Sequence, residues 1–70
     1  MMPLSFATPG ETATIKKIGG LGATRAHLEN LGFVVGGDVT VINTINGNLI
    51  VNIKESRIAI SKEMASKIYI

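Results

Sequence analysis

The apolar residues between positions 21 and 41 change from helical to alternating spacing, which predicts one helix followed by a strand. Leu21, Arg25, Leu28 and Leu31 recur at nearly helical intervals, so we expect them along one side of a helix. No other stretch of the chain has this spacing, and the remaining apolar segments are short and β-like. The segment therefore predicts the principal helix of the fold.

Local signals predict how this helix ends. Gly32 follows the last apolar position and is expected in a left-handed conformation, which glycine adopts without steric cost. In that register Leu28 and Phe33 occupy the two positions whose side chains touch in a Schellman cap. Gly36 and Gly37 are then predicted to turn the chain into a strand that begins near Val39.

The segment before the helix predicts a turn and a strand. Pro9 followed by Gly10 favours a type II turn, because proline presets φ at one position and glycine accepts positive φ at the next. Residues 12–18 are rich in β-formers, with Ala13 and Ile15 predicted to face inward. Alternation fails at the end of this run, which predicts a bulge or a strand end near Lys17.

The hairpin after the helix allows two registers. The Asn-Gly pair at 46–47 favours a two-residue type I′ loop, but that loop would place Thr44 opposite Leu49 and mix apolar with polar residues on each face. A three-residue loop of residues 46–48 pairs Ile45 with Leu49 and keeps the odd-numbered apolar residues together. Because register follows the buried face, we predict the three-residue loop.

The last 15 residues predict a strand at 57–60, a helical turn capped by Ser61, and a terminal strand at 68–70. All 70 residues are expected to form one domain. The elements predict a mainly β fold: a small, partly open antiparallel barrel of the SH3-like or OB-like type. It has about five strands, one inserted α-helix and a short C-terminal helical turn.

The composition restricts the kind of core that the protein can form and the compartment in which we expect it. Hydrophobic residues make up 46% of the chain, only three are aromatic, and there is no cysteine, so the core must be aliphatic and without disulfides. The net charge is +2, with basic residues scattered along the chain. No apolar run is long enough for a membrane span, and the start lacks the features of a signal peptide. We therefore expect a cytoplasmic protein.

The sequence offers little for catalysis or for cofactors. His27 is the only imidazole, and Glu29, two positions away on the helix, points elsewhere. The acidic residues do not have metal-ligand spacing, and the glycines at 19–22 do not form a phosphate-binding loop. Aromatic residues interleaved with basic ones, which favour nucleic-acid binding, are also lacking. We predict no enzyme activity, no cofactor, no metal site and no nucleic-acid partner.

A binding or regulatory module is the function that remains. Its candidate surface is the glycine-rich entry to the helix and the exposed side of the helix, although an ordinary polar surface explains the same pattern. The candidate partner-binding residues are Lys17, Gly20, Thr24, Arg25 and His27. The structural residues of the segment are Leu28, Leu31, Gly32, Phe33 and Gly36.

The run Arg25-x-x-Leu28-x-x-Leu31-Gly32-Phe33-x-x-Gly36-x-x-Val39-x-Val41 resembles the signature of the ferrous iron transport protein A (FeoA) domain. The resemblance implies an SH3-like barrel with an inserted helix. It also implies a cytosolic accessory of a bacterial ferrous iron transporter. The partner would be a membrane protein with a cytosolic G-protein domain (FeoB-like), so the chain would meet the membrane only indirectly.

Two other functions stay open beside that one. A small barrel with a basic pI is also compatible with nucleic-acid binding. The same domain occurs in metal-dependent transcriptional regulators, and a metal-responsive role would use His27 with acidic residues of a second copy. Self-association, the docking surface, and whether the protein activates or restrains its partner are not fixed by the sequence.

Overall fold

Two antiparallel sheets and two helices make up the computed structural model, which describes residues 1–70. The strands are β1 (Thr12–Thr14), β2 (Lys17–Ile18), β3 (Asp38–Ile45), β4 (Asn48–Ile53), β5 (Ser56–Ser61) and β6 (Ile68–Tyr69). The helices are α1 (Ala23–Leu31) and α2 (Lys62–Ala65), and a 3₁₀ turn covers Leu4–Phe6. The mainly β, SH3-like class predicted from the sequence is confirmed. Neither helix is long and apolar enough to span a lipid bilayer.

The chain passes from one sheet to the other just after β1. The larger sheet has the order β1-β3-β4-β5, and β2 pairs with β6 in the smaller one. The Ile15 N–H donates to the Gly37 carbonyl beside the larger sheet, whereas the Lys16 N–H donates to the Tyr69 carbonyl in the smaller sheet. The predicted strand end near Lys17 is therefore confirmed, since the strand run breaks at residues 15–16.

The two ends of the chain lie side by side. Pro3 forms a β-bridge with Tyr69. Met2 and Ile70 exchange two backbone hydrogen bonds, with N···O distances of 3.0 and 2.9 Å. The terminal strand is thus paired on both sides, with β2 on one and with the N-terminal residues on the other.

The predicted three-residue hairpin loop is wrong. Thr44 lies opposite Leu49, and the loop is the two-residue Asn46-Gly47 turn with positive φ at both positions (49° and 81°). The mixing of apolar and polar residues is confined to the turn end of the hairpin, where the exposed Thr44 lies opposite the buried Leu49, because the register shifts at Ile42, which has no partner on β4. This bulge lets the buried Val41 stay opposite Val51 while the Asn-Gly turn keeps its preferred geometry.

One apolar cluster, aliphatic except for Phe33, fills the space between the sheets and α1. It contains 13 buried residues, and no polar or charged residue is buried. Complete burial of a Leu, Ile or Phe side chain contributes about 1.5–3 kcal/mol relative to exposure. The cluster consists of Leu4, Ile15, Ile18, Leu28, Phe33, Val39, Val41, Leu49, Val51, Ile53, Ile60, Ala65 and Ile68.

The predicted end of helix α1 is confirmed. Gly32 adopts φ 109° and its N–H donates to the Glu29 carbonyl, while the Phe33 N–H donates to the Leu28 carbonyl at 3.0 Å. These are the two hydrogen bonds of a Schellman cap, and the Leu28 and Phe33 side chains are both fully buried. The start of the helix differs from the prediction: α1 begins at Ala23, and Leu21 lies outside it.

Candidate docking surface

The predicted partner-binding residues lie around the N-terminal end of α1, but the structure divides them. Lys17 is in β2, Gly20 is in the loop before the helix, and Thr24 is in its first turn. Lys17 pairs with Tyr69 of β6, and Gly20 lies close to both Lys67 and Thr24. Arg25 projects about 100° away from Thr24 around the helix axis, whereas His27, three positions after Thr24, lies about 60° from it on the same side of α1.

At Gly20, the loop that precedes α1 lies close to Lys67, the residue before β6. Its φ is 91°, a conformation that favours glycine. A Cβ at this position would lie 3.3 Å from Cδ of Lys67 and 3.3 Å from Cγ2 of Thr24. The absence of a side chain at Gly20 therefore allows Lys67 to pack its aliphatic stem beside the first turn of α1.

Lys17 and Tyr69 form the other half of this region. They are paired residues of β2 and β6, and Lys17 Nζ lies 5.9 Å from the centroid of the Tyr69 ring. This is near the outer limit of a cation–π interaction. A Cβ on Gly19 would lie 3.4 Å from Cε2 of the same ring, so this glycine lets the ring lie close to the backbone.

We call these residues the β6 basic surface: Lys17, Gly20, Thr24, Lys67 and Tyr69. Lys67 and Tyr69 were not among the residues predicted from the sequence. The available signal was the apolar alternation at 68–70, which predicts a terminal strand tied into a sheet. That signal does not specify β2 as the pairing strand, so the proximity to Lys17 could not be inferred.

Arg25 and His27 do not share a face. At about 100° of rotation per residue, two positions apart on a helix differ by about 200°. Arg25 lies on one flank, where its Nε is 3.5 Å from Oε1 of Glu29 one turn later. His27 is exposed on another flank. One flat partner therefore cannot contact both side chains while also covering the β6 basic surface.

The electrostatics of the β6 basic surface follow from its two lysines. The Arg25–Glu29 pair is the one ion pair in the molecule, so neither Lys17 nor Lys67 has a carboxylate within 4.0 Å. Residues 1–70 contain no group of three or more His, Cys, Asp or Glu side chains close enough to hold a metal ion together. What this surface can do chemically is bind a negatively charged partner by contact.

A shallow groove of about 550 Å³ lies at the edge of β1. Its apolar lining comes from Met1, Met2, Ala13 and Ile70, and Lys16 is among the polar residues at its margin. Because the groove contains neither Lys17 nor Lys67, it is a separate feature from the β6 basic surface.

The FeoA domain matches residues 2–70 of the chain. The chain is 41% identical to “Putative Fe(2+) transport protein A” of Methanocaldococcus jannaschii over its full length and 85% of that protein. A crystal structure of an iron uptake regulatory protein, FeoA, superposes with a TM-score of 0.88 and 28% identity, covering 96% of this chain and 89% of that one.

A second solved structure supports the fold alone. The FeoA of Stenotrophomonas maltophilia, a zinc complex described as a prokaryotic SH3 domain protein, superposes with a TM-score of 0.87 at 24% identity. The match covers 99% of this chain and 88% of the other.

Proposed function

Because the chain belongs to the FeoA domain family, a family of Fe(2+) transport accessory proteins, we propose that it regulates a ferrous iron transporter by direct contact. The partner is the cytosolic part of an FeoB-like membrane protein, and the contact takes place in the cytoplasm. The chain carries out no reaction in this role. Iron is the cargo of the partner and is not a ligand that this chain must hold.

The β6 basic surface is the observation that carries the proposal. Lys17 and Lys67 are free of intramolecular carboxylates, and the aliphatic stem of Lys67 packs beside Gly20. Unpaired cations on an ordered scaffold favour association with an acidic patch, because charge complementarity raises the association rate and suppresses unsuitable partners. The expected binding region on the transporter is therefore acidic.

Binding alone is sufficient for regulation. A partner shifts the equilibrium between two transporter states only by binding one of them more tightly than the other. A tenfold difference in affinity corresponds to about 1.4 kcal/mol, which is the scale of ordinary allosteric coupling. The nucleotide state of the G-protein domain is the natural variable to examine, since it defines distinct conformations of the partner.

The test is a titration of the protein against the FeoB-like transporter and against its isolated G-protein domain, in each nucleotide state. We expect saturable binding that weakens with added salt. The double variant Lys17→Glu with Lys67→Glu should bind about tenfold or more weakly, a loss of roughly 1.4 kcal/mol or more. No binding of the wild type in any state would refute the proposal.

A matched control separates local charge from net charge. Lys54→Glu with Arg57→Glu makes the same change in net charge on two exposed residues at the β4–β5 turn and the start of β5. This control should bind nearly as well as the wild type. Affinity for RNA or DNA with a steep salt dependence would instead favour a nucleic-acid-binding protein.

A further inference from the structure

Leu21 is the most exposed large apolar side chain of the protein. The helical spacing predicts it along the same side of α1 as Leu28, yet it is 90% exposed and lies before the helix. It stands between Gly20 and Gly22 in the loop that leads from β2 to α1. Its exposure results from the path of the backbone through these two glycines.

The backbone on both sides of Leu21 has conformations that favour glycine. Gly20 has φ 91°, and Gly22 has φ 49° with ψ −110°. Hydrogen bonds fix the loop: the Thr24 N–H donates to the Leu21 carbonyl and the Ala26 N–H donates to the Gly22 carbonyl, each at 3.1 Å. Leu21 is therefore presented to solvent on an ordered turn attached to α1.

The position of Leu21 places it beside the β6 basic surface. Its neighbour Gly20 is the residue against which Lys67 and Thr24 pack. Leu21 therefore follows directly on a residue beside which the aliphatic stem of Lys67 lies. A protruding apolar side chain next to a cationic surface suits an apolar pocket with polar contacts around it. A loop that is already ordered also loses little conformational freedom on binding.

We propose that Leu21 is the apolar anchor of the contact with the transporter and inserts into an apolar pocket bordered by carboxylates. This inference rests on the proposed function and adds the residue that supplies most of the affinity. Charge complementarity with Lys17 and Lys67 is what selects an acidic protein surface as the occupant, rather than a second copy of this chain, whose net charge is +2.

The experiment compares Leu21→Ser with the wild type in the titration against the FeoB-like transporter. Burying a leucine side chain changes affinity by roughly ten- to a hundredfold, so we expect a loss of that size. Leu21→Met, which remains apolar, should retain binding within a few fold. The melting temperature of both variants should equal that of the wild type, because Leu21 makes little contact within the fold.

Val35 supplies the matched control. It is also an exposed apolar residue, at 59%, in the loop after α1. Val35→Ser should leave affinity within about twofold of the wild type. Equal losses of affinity in Leu21→Ser and Val35→Ser would refute the proposal that Leu21 is the anchor. They would show that any exposed apolar residue contributes similarly to binding.

The remaining outcomes are distinguishable. If Leu21→Ser binds like the wild type while the Lys17 and Lys67 reversal weakens binding, the anchor is wrong and the proposed function stands. If the wild type does not bind the transporter, both fail. Loss of a concentration-dependent dimer, or of adsorption to anionic lipid vesicles, in Leu21→Ser with unchanged transporter affinity would assign the side chain to a second copy or to a lipid surface.

Discussion

Substituting Gly32 by alanine tests how the helix stop contributes to stability. Gly32 has φ 109° and ψ 3°, and its N–H and that of Phe33 satisfy the carbonyls of Glu29 and Leu28. A Cβ at position 32 would lie 3.5 Å from Cγ2 of Ile53, which is ordinary van der Waals contact. The alanine side chain therefore does not clash with the core. The loss of stability in Gly32→Ala comes from holding alanine in a left-handed backbone conformation.

That cost can be estimated. A left-handed conformation costs an L-residue about 1–2 kcal/mol. Replacing glycine also lowers the conformational entropy of the unfolded chain, which stabilises the folded state by about 0.4–1 kcal/mol. The net loss is therefore about 1 kcal/mol, a large share of the roughly 3–5 kcal/mol that a core of this size supplies. For a domain of this length, 1 kcal/mol lowers the melting temperature by about 4–8 °C.

Thermal and urea unfolding followed by circular dichroism measures this loss, and Gly32→Asn is the matched comparison. Asparagine tolerates positive φ better than alanine, so it should lose less stability. The urea m value should be unchanged in both variants, because the same surface is exposed on unfolding. The reasoning is refuted if Gly32→Ala has the same melting temperature as the wild type, or if Gly32→Asn is less stable than Gly32→Ala.

Three further substitutions have expected outcomes. Phe33→Ala removes a fully buried ring at a cost of about 3–5 kcal/mol, so amide chemical shifts should show a largely unfolded chain. Ser61→Ala removes the hydroxyl that accepts from the Met64 N–H at 3.2 Å, and urea unfolding should show a loss of about 1 kcal/mol. Arg25→Ala should cost less than about 0.5 kcal/mol at any salt concentration, because Arg25 and Glu29 are 55% and 51% exposed.

Features with local signals could be predicted from the sequence. The Pro9-Gly10 turn is one, since Gly10 has φ 93° and the Glu11 N–H donates to the Thr8 carbonyl. The Gly32 stop is another. In each case the residues that determine the geometry are adjacent in the chain, so the conformational preferences of glycine and proline are sufficient.

The hairpin shows why register is harder. The turn preference of Asn46-Gly47 and the burial of alternate residues conflict if β3 is regular, and the prediction resolved the conflict in favour of burial. By leaving Ile42 unpaired, the protein keeps both the turn geometry and the buried Val41–Val51 pair, and the alternate burial of β3 ends at Val41. One consequence is that Ile45, predicted on the buried face, is 49% exposed. No residue near position 42 is of a type that predicts a β-bulge, so the local sequence did not indicate the register shift.

The candidate docking surface depends on contacts between residues far apart in the chain. Lys17 and Gly20 could be proposed from the glycine-rich loop, but Lys67 and Tyr69 join them only through the pairing of β2 with β6. Leu21 was misplaced for a different reason. Apolar spacing identifies which residues could lie on a helical face, but the φ angles at Gly20 and Gly22 determine where the helix begins.

The pairing of residue 2 with residue 70 also constrains how the chain folds during its synthesis. Strands β1 and β3–β5 can pair without β6, because none of their pairings involves residues 68–69. The smaller sheet must wait for β6, which is synthesised after every strand of the larger sheet. Contacts of such high sequence separation form slowly. Until they form, the β2 segment lacks its partner, and the nascent chain has an unpaired edge on which a chaperone could act.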